Sequence, residues 1–244
     1  MRHLLCLLGL LAVTSALQQF SVKDGGKTCF LLEADVEGEI KWKDGNETKS
    51  FSWKLDKVTQ QSGECNGKRE GLKSNRLEAQ FLPKDTSSGQ YGQLWIFTLE
   101  LVQQTGDNKT YELVDWSLSF TPRVGINITD TYRKTKDAVT DLSAFGSNAY
   151  KCSNVGLALD AADGSGVGSV LTLKSVRAVA FASIDGDKFP EKQVYEVCSL
   201  DSKTSDIVPI IVGACLAGLV VVVLVAYLVG RARAKRQGYA SRLS

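Results

Sequence analysis

Histidine is almost missing from this chain. There is one, His3, and it lies in the first three residues. If the N-terminus is removed, no imidazole remains for a Ser-His-Asp or Cys-His nucleophile, or for a His-ligated metal. The side chain that most often changes charge between pH 5 and 8 goes with it. There is no C-x-x-C motif, which argues against a redox or zinc-ribbon site. Only 4 prolines occur, with no Pro/Ser/Thr-rich hinge and no internal repeat, so one extramembrane domain is expected. The low net charge of +2, with 43% hydrophobic residues, excludes an intrinsically disordered chain.

Long apolar runs are scarce too, but both ends carry one. Residues 4–13 are apolar, follow Arg2 and His3, and end in Thr14-Ser15-Ala16. A basic start, a short apolar core and a small-x-small cleavage site define a secretory signal peptide, expected over residues 1–16. Residues 207–229 contain no charge, enough to cross a hydrocarbon core of about 30 Å as a helix. Asp206 precedes this run, and Arg231, Arg233, Lys235 and Arg236 follow it. The positive-inside rule then places residues 17–206 in the lumen or outside and 230–244 in the cytoplasm, a single-pass type I topology. We place Pro209 in the first turn of that helix, where a missing N–H costs little. The luminal segment holds 23 Lys/Arg against 27 Asp/Glu, a net of 23 − 27 = −4. The basic cluster is a membrane feature, so nucleic-acid binding has no support.

Four cysteines fall in the luminal segment: Cys29, Cys65, Cys152 and Cys198. In an oxidising compartment they imply two disulfides, of which Cys29–Cys65 with Cys152–Cys198 is the most local of three pairings. Each such bridge stabilises by roughly 3–4 kcal/mol in the chain-entropy model. Cys215 lies in the span as a small apolar residue. Three N-glycosylation sequons begin at Asn46, Asn108 and Asn127. Asn46 and Asn108 follow turn signals, and Asn127 should face solvent on a strand.

The rest reads as strand. Phe51, Trp53 and Leu55 alternate with polar residues, as do Leu77, Ala79 and Phe81. Residues 94–102 read as a strand buried on both faces. Val114, Trp116, Leu118 and Phe120 fall on one face of the next strand, and residues 170–181 are rich in Val, Leu and Ala. Turn signals occur at Asp24-Gly25-Gly26, Asp44-Gly45, Asp163-Gly164 and Asp185-Gly186. An all-β domain of ten or more strands follows.

Motifs for chemistry are weak. The glycine-rich stretch 163–168 precedes a strand pattern, whereas a phosphate cradle needs a helix there. Asp85-Thr-Ser-Ser-Gly lacks the aspartic-protease order. A carboxylate-pair hydrolase leaves no sequence trace among 27 scattered acids. We expect no enzyme activity, no cofactor and no metal. In the span, Gly213-x-x-x-Ala217 and Ala214-x-x-x-Gly218 allow close helix approach and point to a homodimer, with ordinary membrane-helix glycine and alanine as the alternative.

The stretch Val208-Pro-Ile-Ile-Val-Gly, the end Ala226-Tyr-Leu-Val-Gly-Arg and the tail Gly238-Tyr239 closely resemble the lysosome-associated membrane glycoprotein (LAMP) family. Tyr150-Lys151-Cys152 and the strand 176–181 resemble its luminal domain more loosely. The resemblance implies a β-prism luminal domain, the pairing Cys29–Cys65 and Cys152–Cys198, and residence in lysosomal and late endosomal membranes. It also implies a structural, protective role in membrane integrity and lysosome biogenesis, and a tail signal read by trafficking adaptors. This chain has one luminal domain where the family has two. Its tail departs from Gly-Tyr-x-x-hydrophobic: Arg242 stands third after Tyr239 and Leu243 one position later. Alternative roles are an accessory subunit of a membrane complex such as the proton-pumping ATPase, or a cell-surface receptor or adhesion protein.

Overall fold

The computed structural model describes residues 17–83, 94–106, 109–120, 130–161 and 168–240. The described residues form eleven strands and one helix: β1 (Gln18–Asp24), β2 (Lys27–Asp44), β3 (Glu47–Arg69), β4 (Leu72–Pro83), β5 (Trp95–Gln103), β6 (Thr110–Phe120), β7 (Asp130–Lys134), β8 (Ser143–Phe145), β9 (Ala149–Ala161), β10 (Ser169–Asp185), β11 (Tyr195–Val197) and α1 (Ser199–Ala240). The chain divides into two compact units, ending and beginning at Cys198 and Ser199.

The strands run β1-β2-β10-β9-β7-β6-β5-β4-β3, and a further β2–β3 pairing closes the path on itself. Closure removes the unpaired edges that an open sheet of this size would expose. Long strands make it work by changing partners along their length. The first half of β3 pairs with β2, the second half with β4. β2 lies between β1 and β10 over its first half, and between β3 and β10 after that. All of these pairs are antiparallel; among the described residues only β11 joins in parallel, on β9. Glycines sit where the turns need them. Gly25 and Gly26 have φ of +56° and +83°, and Gly45 has +64° in the two-residue turn from β2 to β3.

Alternation along each strand sends one face inward. The core holds Phe20, Trp53, Phe81, Trp95, Phe97, Trp116, Phe120 and Tyr132 with a surrounding layer of Leu, Val and Ala. One end of it is an aromatic cluster: Trp53 and Trp95 meet edge-on at 5.5 Å, Trp95 and Phe120 at 5.4 Å, and Phe120 stacks on Tyr132 at 5.0 Å. Each such pair contributes about 0.5–1.5 kcal/mol beyond burial. Trp116 donates its indole N–H to the Ala158 carbonyl at 2.8 Å. The indole N–H groups of Trp42, Trp53 and Trp95 are buried with no acceptor among the described residues.

Two strand expectations change. β5 is not buried on both faces: Trp95, Phe97, Leu99 and Leu101 are buried while Ile96, Thr98 and Glu100 are half-exposed. The polar residues at 98 and 100 already mark that outer face. Val114 does not share a face with Trp116. The β5–β6 register slips between Glu100 and Leu101, so Glu100 faces Asp115 while Leu101 faces Leu113. The extra residue is a β-bulge, which reverses the phase of the strand. Tyr111 and Leu113 therefore point inward before it, and Trp116, Leu118 and Phe120 after it.

The second unit is α1, 42 residues long. It begins with a polar stretch that has Asp201 in the first turn, favourable to the helix dipole. Pro209 is consequently ten positions inside the helix (209 − 199), not in its first turn. Its ring removes the N–H that would bond the Ser205 carbonyl. Ile211–Arg231 is long and apolar enough to cross a membrane, with a mean hydropathy of 2.8.

Candidate functional site

The luminal unit is held by two cross-links, the second buried and the first half-buried at Cys65. Cys29 on β2 is joined to Cys65 on β3, with Cα atoms 6.0 Å apart; Cys152 on β9 is joined to Cys198, with Cα atoms 5.3 Å apart. Both spacings suit an unstrained bridge. The first has a polar brace that sequence reading missed. Asn75 on β4 is fully buried; its Nδ2 donates to the Cys29 carbonyl at 3.1 Å, and its Oδ1 accepts the Asn66 N–H at 2.8 Å. The two bonds straddle the disulfide. The second bridge lies beside a carboxylate clamp. Glu196 Oε1 accepts the Phe145 N–H at 2.9 Å and Asn148 Nδ2 at 2.8 Å, tying the turn after β8 to β11.

The outer face of the sheet carries charges in pairs. Glu33, Asp35 and Glu37 alternate along β2 and meet Arg177, Lys54 and Lys174 on the neighbouring strands. Arg69 on β3 reaches both Glu100 and Asp115. The Lys174 ammonium is held above its ordinary range by hydrogen bonding to Glu37. Asp187 is held below the usual carboxylate range, first by hydrogen bonds from Lys23 and Ser21. Burial pushes the Tyr111 phenol well above its ordinary value. Its O–H points at the carbonyls of Asn148 and Ala178, at 2.8 and 3.1 Å.

Asn46 is exposed in the β2–β3 turn, a geometry open to a glycan. Asn108, Asn127, the signal segment 1–16, Asp85-Thr-Ser-Ser-Gly and Leu243 lie outside the described residues, as does 163–167 of the glycine-rich stretch. That stretch leads through Gly168, φ +62°, into strand β10 and not into a helix. Gly213, Ala214, Ala217 and Gly218 are exposed on α1, and a methyl added at either glycine meets no atom within 4 Å among the described residues. Gly238 and Tyr239 lie in the last helical turn. Ala, Arg, Lys and Gln, all good helix formers, carry the helix of the apolar run through to Ala240.

These features define a class: a closed, disulfide-linked β domain followed by a helix long and apolar enough to span a membrane, with basic residues after its apolar run. The family model for "Lysosome-associated membrane glycoprotein 2, transmembrane segment" matches residues 208–240. Lysosome-associated membrane glycoprotein 1 of Mus musculus is 33% identical over 164 residues, 62% of this chain and 36% of that protein. The Rattus norvegicus protein of the same name is 28% identical over 234 residues, 92% of this chain and 48% of its own. The Gallus gallus one is 39% identical over 105 residues, 42% of this chain and 22% of its own. The chain thus spans less than half the length of these relatives. The crystal structure of the membrane-proximal domain of mouse LAMP-1 shares the fold, with a TM-score of 0.53 at 19% identity, covering 76% of this chain and 98% of that one. The chain is similar to the lysosome-associated membrane glycoprotein family in its apolar segment and in the fold of its β domain.

Proposed function

We propose that this protein is a type I glycoprotein of the lysosomal and late endosomal limiting membrane with a structural, protective role in membrane integrity and lysosome biogenesis. The observation that carries the reading is the match of residues 208–240, span and Gly238-Tyr239 together, to a lysosomal family's transmembrane segment. The closed sheet, two disulfides with three of their four cysteines buried, and exposed Asn46 suit a domain that faces hydrolases: few open strand edges, cross-links set into the sheet and a glycan attachment point. Trafficking adaptors are the proposed cytoplasmic partners. They take an aromatic and a hydrophobic side chain in separate pockets of an extended peptide. With Arg242 at the third position and Leu243 one later, the second side chain turns to the opposite face. Sorting through Tyr239 is therefore weaker than for Gly-Tyr-x-x-hydrophobic tails. The small residues of the span support a homodimer; cross-linking that survives Gly213→Leu with Gly218→Leu contradicts it. For the protective role, cells lacking the protein are loaded with a lysosomal dye and stressed osmotically. More leakage than in control cells, restored by the wild-type chain, supports the reading; equal leakage overturns it.

A further inference from the structure

Asn66 is followed by Gly67, and no other asparagine in the sequence precedes a glycine. Glycine leaves the following amide nitrogen unshielded, so that nitrogen and the asparagine carboxamide carbon can meet in a five-membered ring. A regular β-ladder prevents this by holding both residues extended. At Asn66 the ladder is broken. The β3–β4 register shifts between Glu64 and Gly67, and Asn66 takes a φ of +55°. The residue is exposed. Its carboxamide makes no hydrogen bond among the described residues, while its own N–H is fixed on Asn75 Oδ1 at 2.8 Å. Other asparagines are better held: Asn75 is bonded through both side-chain atoms, and Asn148 donates to Glu196. Polar groups also crowd Gly67. A Cβ placed there would meet the Glu64 carboxylate carbon at 2.9 Å and Ser74 Oγ at 3.1 Å.

We propose that Asn66 is a site of spontaneous deamidation in the folded protein, a chemical modification beside the Cys29–Cys65 bridge. The Gly67 nitrogen bonds to Asn66 Cγ and gives up its proton to water or to the Glu64 carboxylate. The carboxamide nitrogen leaves as ammonia, and a cyclic imide forms. Water then opens the ring at either carbonyl, giving aspartate or isoaspartate. The attacking nitrogen must lose its proton, so the reaction is faster at neutral pH than in acid. Isoaspartate adds one methylene to the backbone between the residue-66 Cα and the Gly67 nitrogen, at the edge of the Gly67–Ser74 pairing.

The test is mass spectrometry of the full-length protein in detergent, kept at body temperature at pH 7 and at pH 5. A reduced, denatured sample is kept alongside. The peptide containing Cys65 and Asn66 is weighed over time. Expected is a gain of one mass unit, with two chromatographic products, at pH 7 in the folded protein. Its rate should be lower than in the denatured sample, because Gly67 itself is buried, yet measurable. It should be slower at pH 5, and Asn66→Gln should abolish it. A folded sample that stays unchanged while the denatured one converts overturns the proposal. So does conversion of another asparagine with Asn66 intact.

Discussion

Replacing Asn75 by alanine removes the brace across the first disulfide. The side chain is fully buried and makes two bonds, to the Cys29 carbonyl at 3.1 Å and from the Asn66 N–H at 2.8 Å. The two losses are unequal. Asn66 is exposed, so its N–H finds water. Cys29 is only 5% exposed, so its carbonyl does not. An orphaned buried acceptor costs about 1–3 kcal/mol. The small cavity adds a little, so Asn75→Ala should lose about 2–3 kcal/mol. Urea unfolding of the full-length protein in detergent, followed by tryptophan fluorescence, measures it. All four tryptophans lie in the luminal unit, so the signal reports that unit alone. Asn75→Asp is the informative second variant. It keeps the acceptor for Asn66 but sets a carboxylate oxygen against the Cys29 carbonyl. Its loss should exceed that of alanine at neutral pH and ease in acid, where the protonated carboxyl donates again. If Asn75→Ala falls within about 0.5 kcal/mol of wild type, the brace contributes nothing and the reasoning is refuted.

Gly38→Ala should cost about 1–3 kcal/mol by overpacking, because its methyl would meet the Val170 carbonyl at 2.5 Å and the Trp53 ring at 2.8 Å; the same urea titration checks this. Removing the second bridge with Cys152→Ala and Cys198→Ala together should cost roughly 3–4 kcal/mol, read as a lower unfolding midpoint. Melting temperature should stay nearly constant between pH 7 and 5, since residues 17–206 contain no histidine. The Asp187 carboxyl is held low, so its contribution is present above the unfolded value of about 3.9 and lost only as pH falls through the lower folded one. The Tyr111 phenol is held high by burial, so its contribution is present below about pH 10 and lost as pH rises beyond that. A marked change between pH 7 and 5 contradicts this.

Much of the architecture was legible because closed antiparallel sheets alternate cleanly. Leu77, Ala79 and Phe81 read as one face from sequence and form one face in the structure. The turns at Gly25-Gly26, Gly45 and Gly186 followed from Asp-Gly pairs, whereas the β3–β4 turn at Glu70-Gly71, with φ of +49° and +85°, has no aspartate to mark it. Val114 was misplaced because a bulge depends on the partner strand, which a single strand's pattern does not contain. The start of α1 was hidden for a related reason: residues 199–206 are polar and lack periodicity, yet continue the helix of an apolar run. Asn75 and Glu196 gave no local signal. Their partners lie 46 and about 50 residues away, and only the folded register brings them together. The membrane-proximal motif was the most legible part, because a span is specified by composition and length within one continuous segment.

The central claim is residence in the lysosomal membrane, and imaging tests it most directly. The tagged full-length protein is imaged against a lysosomal marker, beside Tyr239→Ala. Lysosomal overlap of the wild type, partly lost in the variant with a gain at the cell surface, is the predicted result. Plasma-membrane staining of the wild type without lysosomal overlap contradicts the account.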